Sequence, residues 1–325
     1  MKKRTLIGLI VLVAIITAGL ILWSQRKWFF DEIRLYNYKA PTQIATLASQ
    51  DTMTPYGKKL FYIYHPVLEN STQFNSNCSV TEEAIVLGCT VLNQGIYLYN
   101  VQSSDLNGVE QVTAAHEMLH VAYDHLSSSE RKKVDGMVWA AYSSLSKSNS
   151  LLSTEEASYL KTEGASAVPN ELHSVLGTEI AKLPSALESY YSQYFTNRQA
   201  IVSYANSYEG EFLSRQQTIA KDDQQLATWL QQIGQDESQL KTENQQINQE
   251  QQQLDSLKSS GQIASYNSMV ASFNQSVDDY NSLLNTAKQL LASYNQLVIQ
   301  RNSVAATENQ LTKAISSLPS TLSTH

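Results

Sequence analysis

The sequence predicts a mainly α protein with a small β-sheet, carried on one N-terminal transmembrane helix and continued by a long α-helical coiled-coil hairpin. Three observations predict it. Residues 5–23 are an uncharged apolar run; between residues 84 and 126 two β-rich stretches give way to a helical stripe; and from Phe212 onward apolar residues recur every seven positions. With 325 residues and 42% apolar content the chain can bury a core. Its 23 Lys and Arg against 30 Asp and Glu leave a net charge of -7, with only 16% charged residues. That balance offers no basic patch, so no nucleic acid is expected as a partner.

Residues 5–23 (TLIGLIVLVAIITAGLILW) would span about 28 Å as a helix, close to the hydrocarbon thickness of a bilayer. The run exceeds a cleaved signal's apolar region and no A-x-A site ends it, so it reads as an uncleaved anchor with the lipid bilayer as partner. Residues 1–4 form a short tail containing Lys2, Lys3 and Arg4. Their charge favours a cytoplasmic N-terminus and an extracytoplasmic remainder in a single-pass protein of the cell membrane. Cys78 and Cys89, the only cysteines, can close a small disulfide loop, which persists outside a reducing cytosol. Residues 24–34 are juxtamembrane, and Trp28, Phe29 and Phe30 suit the membrane surface through residue 38.

A globular domain is expected over residues 35–195. The apolar patch at residues 60–64 reads as a strand, as do residues 84–87 and 95–101, separated by Gly88, Asn93 and Gly95. Val112, Ala115, Leu119, Ala122 and Leu126 then step by three or four, the stripe of a helix on a core. Further helices are expected over 130–145, 154–161, 171–182 and from 186. Pro169 disfavours helix just before it, and Asn170 can cap one starting after it.

Residues 196–317 form the hairpin, broken near 259–262, with a tail over 318–325. Phe212, Ile219, Leu226, Ile233, Leu240, Ile247 and Leu254 make one seam position. The companion position holds Arg215, Asp222, Trp229, Asp236, Glu243 and Glu250, so the first helix reads as mostly wet. A richer register through Phe273, Tyr280, Ala287 and Tyr294 can fold back on it around Gly261. Self-association of the coiled coil is the rival arrangement.

The chemistry lies in Ala114-Ala115-His116-Glu117-Met118-Leu119-His120. Histidines at i and i+4 stand about 40° apart on one helix face, so two imidazoles can reach one tetrahedral ion. Glu117, about 100° round from His116, is placed to reach water on that ion rather than to ligate it.

Over residues 95–182 the chain resembles the zincin metallopeptidases. The resemblance implies one Zn2+ per chain, with His116 and His120 as ligands and Glu117 as the general base that activates the metal-bound water. It also implies hydrolysis of protein or peptide substrates. Gly95, Ile96, Tyr97, Leu98 and Tyr99 would form the edge strand that pairs with an extended substrate. A metzincin would continue HExxHxxGxxH, whereas this chain has Tyr123 and Leu126 at those last positions. The gluzincin pattern, with a glutamate from a second helix, fits better. Asn170-Glu171 and the Glu-x-x-Ser spacing to Ser174 resemble it, with Glu179 and Glu163 as alternative third ligands. His173 and Tyr123 are candidate transition-state stabilisers. Asp124 lies a full turn beyond His120 and His125 points away from it, which suits surface or supporting roles. The competing class of function is a non-catalytic cell-envelope scaffold or adhesion protein acting through the coiled coil.

Overall fold

The computed structural model describes residues 26–78, 86–92, 94–147, 149–162 and 164–317. The anchor expected at 5–23, the tails at 1–4 and 318–325, and Glu163 lie outside them. No described helix is long and apolar enough to cross a membrane. The described residues are mostly helical, with one three-stranded sheet among them, and divide into two compact units. One comprises the described residues up to Gly210 together with those from Leu311; the other is Glu211–Gln310.

The first unit begins with α1 (Arg26–Leu35), α2 (Thr42–Gln50) and α3 (Pro55–Ile63). The expected strand at residues 60–64 is therefore helical. Its aromatic run looks the same in either state over five residues, and the deciding signals lie upstream: Thr54 accepts from the Gly57 N–H as an N-cap, and Pro55 occupies the first turn. Next come β1 (Val67–Glu69), α4 (Ser71–Asn77), β2 (Gly88–Val91) and β3 (Gly95–Tyr99). Asn70 and Gln73 close a capping box on α4, and a disulfide joins Cys78 at its end to Cys89 in β2, with Cα atoms 5.9 Å apart.

The sheet order is β1-β3-β2, with β1 parallel and β2 antiparallel to β3. Two expectations change. Of the earlier strand expected at 84–87, residues 84 and 85 lie outside the described residues, and the strand among the described residues is 88–91; β3 is the central strand, bonded on both sides, so Gly95, Ile96, Tyr97, Leu98 and Tyr99 are not a free edge. On the far side of the sheet from β1, the open edge among the described residues is β2.

A 3-10 turn (Ser104–Leu106) leads into α5 (Val109–His125). Gly108 at its N-cap has φ +110°, and a Cβ there would meet the Tyr204 carbonyl at 2.8 Å, so both backbone and space require glycine. Helix α5 is central, packed on α2, α3, β2 and above all on a later helix, α8. Val112, Ala115, Leu119 and Ala122 are buried in the core, as their spacing predicts.

Helices α6 (Ser128–Leu145), α7 (Ser150–Thr162), α8 (Val168–Thr178) and α9 (Ser185–Tyr191) follow. α8 starts three residues before the expected 171 because Pro169 is accommodated in its first turn, where no intrahelical N–H is needed. It ends at Thr178 rather than 182, and the buried Arg198 guanidinium covers that end. Its Nη1 donates to the Ile180 carbonyl at 2.8 Å and, more weakly, to those of Leu176 and Gly177; its Nη2 donates to Ala181, and Nε to Glu188. Helix α10 (Arg198–Ser259) begins at this arginine, and its first turns bury Ile201, Val202 and Ala205 in the first unit.

The second unit consists of α10 from Glu211 and α11 (Ile263–Ile315) as far as Gln310. The break at Gly261 adopts φ +72°, and Arg301 Nε and Nη2 reach Asp223 at 2.8 and 3.0 Å, which makes the two helices antiparallel. The less exposed residues of α10 run 212, 215, 219, 222, 226, 229 and onward in alternating steps of three and four. The companion position is thus part of the seam, not solvated. Asp222 and Asp236 are as buried as Leu254.

Candidate metal centre

Three residues of α5 project toward one place. A ligand atom from each of His116, Glu117 and His120 lies within 4.8 Å of the others, and such a His-Glu-His group could bind a metal ion. The imidazoles stand edge to face with ring centres 4.7 Å apart, as neighbours on adjacent turns do.

From the first turn of α8, Glu171 brings a carboxylate to both rings. Oε2 is 3.4 Å from His116 Nε2, and Oε1 is 3.4 Å from His120 Nε2. Ligands about 2.0–2.1 Å from a tetrahedral zinc ion are separated by about 3.3 Å, and each imidazole stands at about that spacing from one oxygen of this carboxylate. Ser174, one turn further along α8, places its hydroxyl 3.4 Å from His120 Nδ1, on the opposite side of that ring. A partner there favours the orientation in which Nε2 faces the site.

Glu117 is held differently. It is buried, and the Thr90 hydroxyl of β2 donates to its Oε2 at 2.9 Å. Strand and helix approach this closely only because residue 88 is glycine: a Cβ would lie 2.8 Å from Glu117 Cγ and Oε1 and 2.6 Å from Thr113 Cγ2. Two carboxylates thus lie near the imidazoles: Glu171 with one oxygen against each ring, and Glu117 tied also to the open strand.

The other candidates fall elsewhere. Glu179 sits at the C-cap of α8, about 12 Å of helix rise beyond Glu171. His173 is fully buried; its Nε2 lies 3.0 Å from the Tyr190 hydroxyl, and burial, followed by the nearby His120 and His116, lowers its pKa to about 3. It is a neutral core histidine without access to a substrate. The Tyr123 hydroxyl donates to Asp135 at 2.6 Å beneath the Arg131 guanidinium, and desolvation and that carboxylate both raise its pKa. Neither side chain is available as a transition-state stabiliser. His125 turns to the Val121 carbonyl and to Asp31, and Asp124 lies 3.9 Å from Arg131.

Thr90 and Ser174 are the site residues that sequence reasoning did not assign. Ser174 was visible as the fourth residue of Glu-x-x-Ser; Thr90 had no local signal, because it belongs to a strand whose position depends on Gly88 meeting α5. Comparison of the chain with protein-family models, with curated proteins and with solved structures returns no match.

Proposed function

We propose that the protein is a membrane-anchored, zinc-dependent peptidase of gluzincin-like type, hydrolysing peptide bonds of proteins or peptides outside the cytoplasmic membrane. The observation that carries this reading is the placement of Glu171 at 3.4 Å from both Nε2 atoms, with a separate carboxylate, Glu117, reserved beside the strand edge. Zinc held by His116, His120 and Glu171 would supply a Lewis acid that lowers the pKa of water and polarises the scissile carbonyl. Glu117 takes the proton of the attacking water as oxygen bonds to the carbonyl carbon. It then delivers that proton to the amide nitrogen as the C–N bond breaks. Thr90 fixes Glu117 Oε2, and Ser174 fixes the His120 ring, so both groups are oriented before substrate arrives.

The substrate lies extended along the outer edge of β2, adding a strand whose backbone pairs with residues 88–91. The Cys78–Cys89 disulfide supports an oxidising compartment, and the apolar run at 5–23 supports the anchor.

The test is metal analysis together with hydrolysis of an unstructured protein substrate by the full chain. Glu117→Gln should retain zinc and lose hydrolysis, whereas Glu171→Ala should lose zinc and Glu179→Ala should not. Full hydrolysis by Glu117→Gln would sink the mechanism. Absence of both zinc and hydrolysis in the unmodified protein would leave the coiled-coil scaffold as the better reading.

A further inference from the structure

Helix α1 has its polarity inverted relative to a helix packed on a water-exposed protein surface. Its inward side carries charge beside Leu35, which packs on the core: Asp31 Oδ2 is 3.1 Å from His125 Nε2 and the Arg34 guanidinium lies 5.1 Å over the Tyr64 ring, while Glu32 pairs with Lys59 at the exposed margin. The Arg34 carbonyl is also 2.8 Å from His65 Nε2. Its outward side is apolar. Phe29, Phe30 and Ile33 are 57%, 59% and 52% exposed, within an arc of about 100°, and Tyr36 just beyond the helix is 79% exposed. Leu92, following β2 and 53% exposed, lines the same cavity as Phe30, across Asp31, Arg34, Asp124 and His125, so a further apolar side chain stands near this face at the end of the edge strand.

Ion pairs spent inward and aromatics turned outward call for an apolar neighbour. The chain supplies the argument for which one. The uncharged run ends at Trp23, three residues before α1 starts, and three residues of extended chain reach about 10 Å. A bilayer spanned by residues 5–23 therefore has its surface within that distance of the first turn of α1. These five side chains present roughly 500–600 Å2, short of the about 800 Å2 per partner of a standard protein interface.

We propose that α1 is an interfacial helix: the Phe29, Phe30, Ile33, Tyr36 and Leu92 face enters the headgroup region, while the ion-paired face holds the first unit at a fixed height with the end of β2 toward the membrane. This rests on the membrane-anchor reading, and the experiment separates the two. Single cysteines introduced into the full chain by Ile33→Cys, Leu12→Cys and Gln245→Cys are spin-labelled, the native pair being disulfide-bonded. The protein is reconstituted in phosphatidylcholine–phosphatidylglycerol vesicles, and collision with oxygen and with a water-soluble nickel chelate is measured. Position 245 should favour nickel, and positions 12 and 33 oxygen. Position 12 in lipid with position 33 open to nickel overturns the interfacial helix and leaves the anchor. Position 12 open to nickel overturns both. A label at 33 shielded from both reagents means that protein covers the face, which also overturns the proposal.

Discussion

The metal centre of the first unit and the seam of the second both place carboxylate atoms out of water, and they satisfy them to different degrees. Around α5 and α8 each functional carboxylate has a partner: Glu171 lies between two imidazoles, and Glu117 accepts from Thr90. In the seam, Asp222 Oδ2, Glu243 Oε2 and Glu250 Oε2 are buried atoms with no hydrogen-bond partner, although the other oxygens of Glu243 and Glu250 accept from Gln239 and Gln246 one turn earlier, at 2.8 and 2.9 Å. An unpartnered buried acceptor loses its hydration without replacement, whereas a partnered one becomes a fixed dipole for chemistry. A buried acceptor without a partner lowers the stability of the seam, whereas the partnered carboxylates of the first unit are held in place for chemistry.

The largest effect expected of any substitution is catalytic. Glu117→Gln should lower peptide hydrolysis by about 10²–10⁴-fold, the usual worth of a positioned general base, while Glu243→Gln in the seam leaves it unchanged. Equal losses in both, measured as kcat/KM on the same substrate, would erase the distinction between the two regions. Next, Arg198→Ala removes the guanidinium that covers the end of the helix bearing Glu171. It should cost on the order of 3 kcal/mol in denaturant unfolding of the first unit, with reduced zinc content following from a loosened α8.

Asp51 sharpens the comparison from inside the first unit. It is completely buried, neither carboxylate oxygen has a partner, and burial holds its pKa well above the usual carboxylate range. With the folded pKa raised, its contribution favours folding below the unfolded value of 3.8 and is lost as pH rises through the folded value. Asp51→Asn should therefore stabilise the protein by about 1–2 kcal/mol at pH 7 to 8, the gain shrinking toward pH 4. A gain independent of pH in thermal melts would contradict this. The smallest effect belongs to the seam: Glu243→Leu and Glu250→Leu should each stabilise the second unit by about 1 kcal/mol, read from its helical signal in denaturant.

Much of the architecture was legible because it is periodic or contiguous. The stripe of α5, the i and i+4 histidines and the heptads of α10 follow from helical geometry within a few turns, and the bonded cysteines are the only two in the chain. The strands were harder. β1 has three residues, too few for a pattern, and β2 begins at a glycine that reads locally as a breaker. The aromatic run ending at Tyr64 carries β propensity but is governed by a capped turn before it. At the companion seam position, position on the helix outweighs the polarity of the individual residues. Seven-residue spacing places Asp222 and Asp236 inward whatever their charge.

The helix that carries His116, Glu117 and His120, the spacing that points two imidazoles at one place, and the register of the long helices can all be read from the chain, since they depend on neighbours within one or two turns. Only the tertiary structure decided that Glu171, fifty-five residues beyond His116, meets both rings, that Thr90 holds Glu117, that β2 rather than β3 is the open edge, and that α1 turns its charges inward. Those are contacts between segments whose separation along the chain fixes no distance in space, and packing of α5 against α8 and the sheet is what fixes it.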